Sequence, residues 1–228
     1  SAASDVYKRQ VTYLANVLLP VLRHFPDVGL FRHLLSRPNE AGRTLFLREM
    51  SDTVNTLYHH PCIALWVPFN EGWGQFDARE TAARLRALDP TRTIDHASGW
   101  YDQGGGDIKS IHWYFRPYHH KQPPKEQRPI CLTEYGGYNC AVPGHCWGDG
   151  AEFGYKKIAD PAEFNRAFQK LMEEQIIPAK ERGLAAAVYT QVSDVEGERN
   201  GLLTYDRKVC KANEAIFRAV NAKLTGDA

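Results

Sequence analysis

The sequence predicts an α/β fold with parallel strands, and more narrowly a partial (β/α)8 barrel. Three observations lead there. Strand and helix signals alternate from about residue 44 onward. The strand signals are continuous apolar runs, the mark of parallel sheets covered on both faces by helices. Two of those runs end on a glutamate, Glu71 and Glu134. A buried strand that delivers a carboxylate to its C-terminal tip is how a β/α barrel builds an active site.

Leu47, Met50, Val54 and Leu57 fall at spacings of three and four, which predicts a helix over Thr44–Tyr58 with one buried face. Pro61 disfavours helical geometry at the residue before it and ends that helix. Ile63–Phe69 reads as a buried strand. Asp77-Ala78-Arg79-Glu80 has the form of a capping box opening a helix through Leu85 and Leu88, stopped at Asp89-Pro90. Thr93–Ala97, Ile111–Phe115 and Ile130–Thr133 are the next strands, and Tyr135 to Ile158 reads as a long irregular stretch. Asp160-Pro161-Ala162-Glu163 then opens a helix whose buried stripe is Phe164, Phe168 and Leu171, ending at Gly183. Leu184–Thr190 is the last strand, and a final helix near Val209–Leu224 lines up Ile216, Val220 and Leu224.

Five such strands could form a free-standing doubly wound sheet. That architecture usually binds its ligand through a glycine-rich turn, and no G-x-G-x-x-G or P-loop pattern occurs. Gly104-Gly105-Gly106 lacks a helix directly after it and is a weak phosphate cradle. A barrel without its first three strands accounts for the same pattern. Residues 1–10 bear no relation to the rest of the chain and read as a non-native leader, leaving 11–228 as the C-terminal portion of a barrel domain.

Composition excludes several functions. The 28 basic and 27 acidic residues leave a net charge of +1 and form no blocks, so neither nucleic acid nor an anionic membrane is an expected partner. The best apolar run, Val17–Leu22, is broken by Pro20 and is far short of a membrane span. The five cysteines are an odd number and read as reduced, packed thiols, which slightly favours a cytoplasmic setting. Cys140, His145 and Cys146 lie in one loop, but their spacing matches no zinc pattern, and no metal or cofactor is expected. The adjacent pairs His59-His60 and His119-His120 point in different directions on regular structure and suit metal binding poorly.

The dipeptide Asn-Glu occurs at Asn39-Glu40, Asn70-Glu71 and Asn213-Glu214, but only Glu71 follows a run able to be a buried strand. Gly72-Trp73-Gly74 comes next, offering close backbone approach and a flat indole face for a sugar ring. Glu134 is followed by Tyr135-Gly136-Gly137. A retaining glycosidase needs two carboxyl groups about 5–5.5 Å apart. Glutamates 63 positions apart could meet that closely if their strands ended on one rim.

The segments His60–Gly74 and Leu132–Gly137 resemble glycoside hydrolase family 2, which includes β-galactosidases, β-glucuronidases and β-mannosidases. The tail Tyr189–Leu203 resembles the end of that family's barrel, and the likeness covers roughly residues 44–224. The resemblance implies that Glu71 ends barrel strand four as acid/base and that Glu134 ends strand seven as nucleophile. It implies that Asn70 binds the sugar 2-hydroxyl, and that His112-Trp113-Tyr114 lies on strand six with Tyr114 near the nucleophile. Trp73 and Trp100 are candidate sugar platforms, and His112 and Tyr114 are candidate substrate contacts. Asp194 and Glu196 read as surface loop charges. Gln191 stands near where related barrels often place a Trp, and the family's β-sandwich domains and earlier strands are not expected within these residues. The expected activity is retaining hydrolysis of a β-linked carbohydrate, with this portion inactive by itself. The alternative is a carbohydrate-binding or inactive remnant of such a barrel.

Overall fold

A computed structural model describes residues 39–72, 74–114, 116–148 and 156–226. The chain divides into two compact units, Ser1–Ile111 and His112–Ala228. The proposed leader and Trp73 lie outside the described residues.

In the first unit, helix α1 (Glu40–Leu57) starts four residues before the apolar stripe suggests. Asn39 caps it, accepting from the backbone N–H groups of Ala41 and Gly42 at 3.0 and 3.3 Å. The stripe does become the buried face: Val54 packs with Trp66, Leu85 and Ile94, and Met50 and Leu57 join them. Leu47 and Phe46 pack instead on Phe69 and Phe76.

The run Ile63–Phe69 is a strand over only Leu65–Trp66 (β1). Pro68 has no N–H to give a ladder, so pairing lapses there and resumes at Asn70. Helix α2 (Ala78–Leu88) connects β1 to β2 (Thr93–Ile94), and the two strands pair in parallel, Leu65 with Thr93 and Trp66 with Ile94. The capping box at Asp77 does not form. Asp77 sits in the left-handed region (φ 42°) and its side chain caps no N–H of α2. Its carboxylate lies 3.4 Å from Arg43, a guanidinium only 3% exposed that needs a counter-charge where it is buried. Glu80 pairs with Arg84 one turn on.

Asp89, fully buried, ends α2 and ties the unit together. It accepts from the Trp66 indole (2.8 Å), the Thr91 backbone and hydroxyl (3.0 and 2.6 Å) and Arg92 (2.6 Å). Burial alone would raise its pKa. The hydrogen bonds from Thr91, Trp66 and Arg92 outweigh that and hold the carboxyl well below the usual range. The triple glycine is a packing device rather than a phosphate cradle. The backbone N–H groups of Gln103 and Gly105 both reach His96 Nε2, at 3.0 and 3.4 Å. A Cβ on Gly106 (φ 67°) would strike the Ile94 carbonyl at 2.6 Å.

Strand β3 (Lys109–Trp113) carries the boundary between the units. In the second unit β4 (Ile130–Gly136) is the middle strand of the order β3-β4-β7, with β7 at Ala186–Thr190 and ending in the cis Thr190–Gln191 bond. The stretch expected to be irregular contains β5 (Tyr138–Cys140) and β6 (Lys156–Ile158), a short parallel pair. Neither has the length or apolar run that would mark it in the sequence.

Helix α3 (Pro161–Leu171) begins as expected, with the Asp160 side chain accepting from Glu163 N–H at 2.8 Å and Pro161 in the first turn. Its stripe Phe164, Phe168 and Leu171 is buried. A π-helical turn, Met172–Ile176, comes next and leads into α4 (Ile177–Glu181). Pro178 explains the widening, since its ring would strike the carbonyl four residues back in an α-helix and it has no N–H to donate.

The last helix, α5, covers Glu214–Thr225 and starts five residues later than expected. Val209 and Lys211 are instead used in pairing with Thr204 and Leu202. Phe217 on α5 stacks on Phe168 with ring centroids 3.8 Å apart. The expectation that every strand is covered on both faces fails at β7, where Val188 is 56% exposed. Tyr189, pointing the other way, packs on Phe168 and Tyr135. Asp194 is not a surface charge either. It is 2% exposed and lies 2.8 Å from the buried Lys211 ammonium, which also donates to the carbonyls of Cys140 and Arg199 at 3.0 Å each.

No described helix is long and apolar enough to cross a membrane. All five cysteines are free thiols, Cys131 and Cys140 buried but Cys62 and Cys210 exposed, so packing explains only some of them. His145 meets Asp206 at 2.9 Å and the Cys146 thiol donates to the Val142 carbonyl.

Candidate functional site

In the first unit Glu71 is positioned by its backbone. The parallel pairing of β1 and β2 is extended by a bridge between Asn70 and Ser98. The Glu71 N–H donates to the Ser98 carbonyl at 2.8 Å, just after Ser98 N–H has bonded Phe69 O. The chain then turns sharply. Glu71 and Gly72 both have positive φ, 53° and 76°, the former a conformation that non-glycine residues rarely adopt. A Cβ on Gly72 would lie 2.4 Å from the ring of Tyr101, so the turn is closed under that ring. Gln75, 2% exposed, fastens the two segments by donating to the Tyr101 carbonyl at 2.9 Å. Asn70 is exposed and Glu71 half-buried, while Trp100 is 9% exposed.

In the second unit Glu134 is positioned by side chains. Between the pairs Leu132–Ala187 and Tyr135–Tyr189, β4 advances three residues while β7 advances two. The extra residue is a bulge at Thr133-Glu134, a device that re-aims a side chain at a strand end. One carboxylate oxygen of Glu134, Oε2, accepts from the Tyr114 hydroxyl at 2.5 Å and lies 3.1 Å from His112 Nδ1. Such charge-assisted contacts are the stronger class of hydrogen bond. The His112 side chain is fully buried and that of Glu134 29% exposed, so the carboxylate is steered from below and open above. Tyr114 also touches the Thr190 hydroxyl at 3.0 Å.

Of the sequence candidates, His112, Tyr114 and Glu134 come together in the second unit, and Asn70, Glu71 and Trp100 belong to the first. Thr190 was missed. Its only signal is a hydroxyl at the tip of the apolar run Leu184–Thr190. The bulge left no signal, because it exists only as a mismatch between two strands.

Residues 25–217 match the family described as "Glycosyl hydrolases family 2, TIM barrel domain". The chain belongs to this family. Among curated proteins none matches it. Solved structures that it resembles include three β-glucuronidases. The FMN-binding β-glucuronidase of Facaelibacterium prausnitzii L2-6 is 17% identical, with TM-score 0.54 over 81% of this chain and 32% of that one. The Parabacteroides merdae enzyme gives 13%, 0.51, 75% and 26% for the same quantities. Bacteroides uniformis β-glucuronidase 3 gives 14%, 0.52, 80% and 28%. At these identities the likeness concerns the fold alone, and the family 2 chain spans no more than about a third of each structure.

Proposed function

We propose that residues 11–228 are the part of a family 2 catalytic barrel that carries strands four to eight, and that they supply both catalytic carboxylates of a retaining β-glycosidase. The observation that carries this reading is the seat of Glu134 at a strand-end bulge, with the Tyr114 hydroxyl and the buried His112 on one oxygen. Those two contacts fix the rotamer of the carboxylate, which is what a nucleophile needs. The exposed face of β7 supports the barrel as well. Side chains alternate along a strand, so Val188 shares its face with Thr190, the residue that touches Tyr114. In a closed barrel that face is the interior.

In the reaction, a Glu134 carboxylate oxygen attacks the anomeric carbon as the bond to the leaving oxygen breaks. Glu71, protonated, gives its proton to that oxygen. In the second half Glu71 takes a proton from water, the water oxygen bonds the anomeric carbon, and the Glu134 ester is released. Asn70 is assigned to the sugar 2-hydroxyl, with Trp73 and Trp100 as candidate sugar-facing residues. The substrate class is a β-linked carbohydrate. β-Glucuronides head the panel because the structures of similar fold bear that name, with β-galactosides and β-mannosides beside them.

The test is trapping with a slow 2-fluoro aryl β-glycoside on the full-length protein. The label is expected on Glu134. Glu71→Gln should lower kcat about 10²–10⁴-fold for poor leaving groups. Stable label on any other residue would sink the assignment.

A further inference from the structure

The second unit contains a cleft of about 310 Å³ that the glycosidase reading touches at Tyr114 and otherwise does not use. That volume is at the low end for small-molecule sites, suited to one or two fused rings rather than an oligosaccharide. Its walls are aromatic: Trp113, Tyr114, Tyr118 and Tyr138 line it, over a floor of Leu132 and Tyr135. Two cations, Arg116 and Lys156, also line it, and no carboxylate is among the described lining residues. Lys156 Nζ lies 5.2 Å from the centre of the Tyr138 ring, so charge and aromatic face are presented together.

The walls are held in place by the fold. The Trp113 indole donates to the Arg116 carbonyl at 2.6 Å, which sets the turn leaving β3. Tyr118 N–H donates to the Gln175 side chain at 2.8 Å. Gln175 and Ile176 reach the cleft from the π-helical turn that Pro178 imposes, a kind of irregularity frequent at functional sites. The Tyr135 hydroxyl is spent on Met172 sulfur. Burial pushes the Tyr118 hydroxyl up to about 12, against the smaller lowering effect of Arg182, so it adds no negative charge at neutral pH.

We infer that this cleft is a second binding site, for a planar aromatic molecule of one or two rings bearing an anionic group. The rings stack on the aromatic walls, and the anion sits between Arg116 and Lys156. Tyr114 lines the cleft and bonds Glu134 with its hydroxyl, so an occupant would adjoin the residue that holds the glutamate. The inference does not depend on the glycosidase reading, because its test is binding rather than turnover.

The probe is 2-naphthoate, titrated calorimetrically into the full chain, with 2-naphthamide as its neutral counterpart. The expected result is one saturable site of millimolar affinity or better, with the amide at least about tenfold weaker. Arg116→Gln/Lys156→Gln should weaken naphthoate about tenfold while leaving amide binding unchanged. Both residues are exposed, so folding is not at stake, and the naphthoate–amide difference needs no variant. Equal affinity for acid and amide, naphthoate binding indifferent to the double substitution, or no saturable binding would overturn the inference.

Discussion

In the first unit the chain at Glu71 is set by main-chain features, an extended parallel pairing and two successive positive-φ residues closed under Tyr101. The second unit holds its glutamate by side chains, a tyrosine and a buried histidine on one carboxylate oxygen. The buried polar centres of the two units differ in the same way. Asp89 draws its donors from Trp66, Thr91 and Arg92, all within one strand–helix–strand passage. Lys211 gathers Cys140, Asp194 and Arg199 from segments up to 71 residues away. A backbone-placed group depends on local conformation. A side-chain-placed group depends on distant segments arriving together, and is the more exposed to a single substitution.

The largest effect that would break this contrast is expected at the buried ion pair. Lys211→Met leaves Asp194 without its counter-charge where it is 2% exposed and should cost about 3–5 kcal/mol. Urea unfolding of the full chain measures it, and a loss below about 1 kcal/mol would mean that the long-range support is dispensable. The matched glycines sharpen the comparison. Gly72→Ala and Gly136→Ala each place a Cβ on a tyrosine ring, at 2.4 and 2.3 Å, from φ of 76° and 88°. Each should cost about 1–2 kcal/mol for the left-handed backbone and about 1–3 kcal/mol for crowding. Gly136→Ala should be the worse, because Tyr189 is wedged edge-on between Tyr135 and Phe168. The reverse order in thermal unfolding would contradict it.

Smallest in energy, and the most specific, is Tyr114→Phe. It removes the hydroxyl from Glu134 and should slow turnover of the full-length protein about tenfold to a hundredfold, about 1.5–3 kcal/mol. The loss should appear in kcat with KM little changed, and a purely structural role would instead show as a lowered Tm with kcat preserved.

Much of the architecture was written locally. The stripe of α1, the cap and stripe of α3, and the apolar runs that became β1, β2, β4 and β7 follow from spacing and residue type, because helical and strand periodicity is a property of neighbouring residues. Where expectation failed, a distant partner had intervened. Arg43 took Asp77 away from its cap, and Lys211 drew Asp194 into the interior. Pro68 is the exception, a local breaker visible in the sequence that confines β1 to Leu65–Trp66.

By itself the sequence determined an α/β chain of family 2 character, with glutamates closing two apolar runs. Tertiary structure alone decided how each glutamate is aimed. The bulge at Thr133-Glu134 is a mismatch between β4 and β7, and the clamp of Tyr114, His112 and Thr190 joins residues up to 76 positions apart. Register between strands and contact across a sheet depend on where segments meet in space, and no local periodicity encodes that.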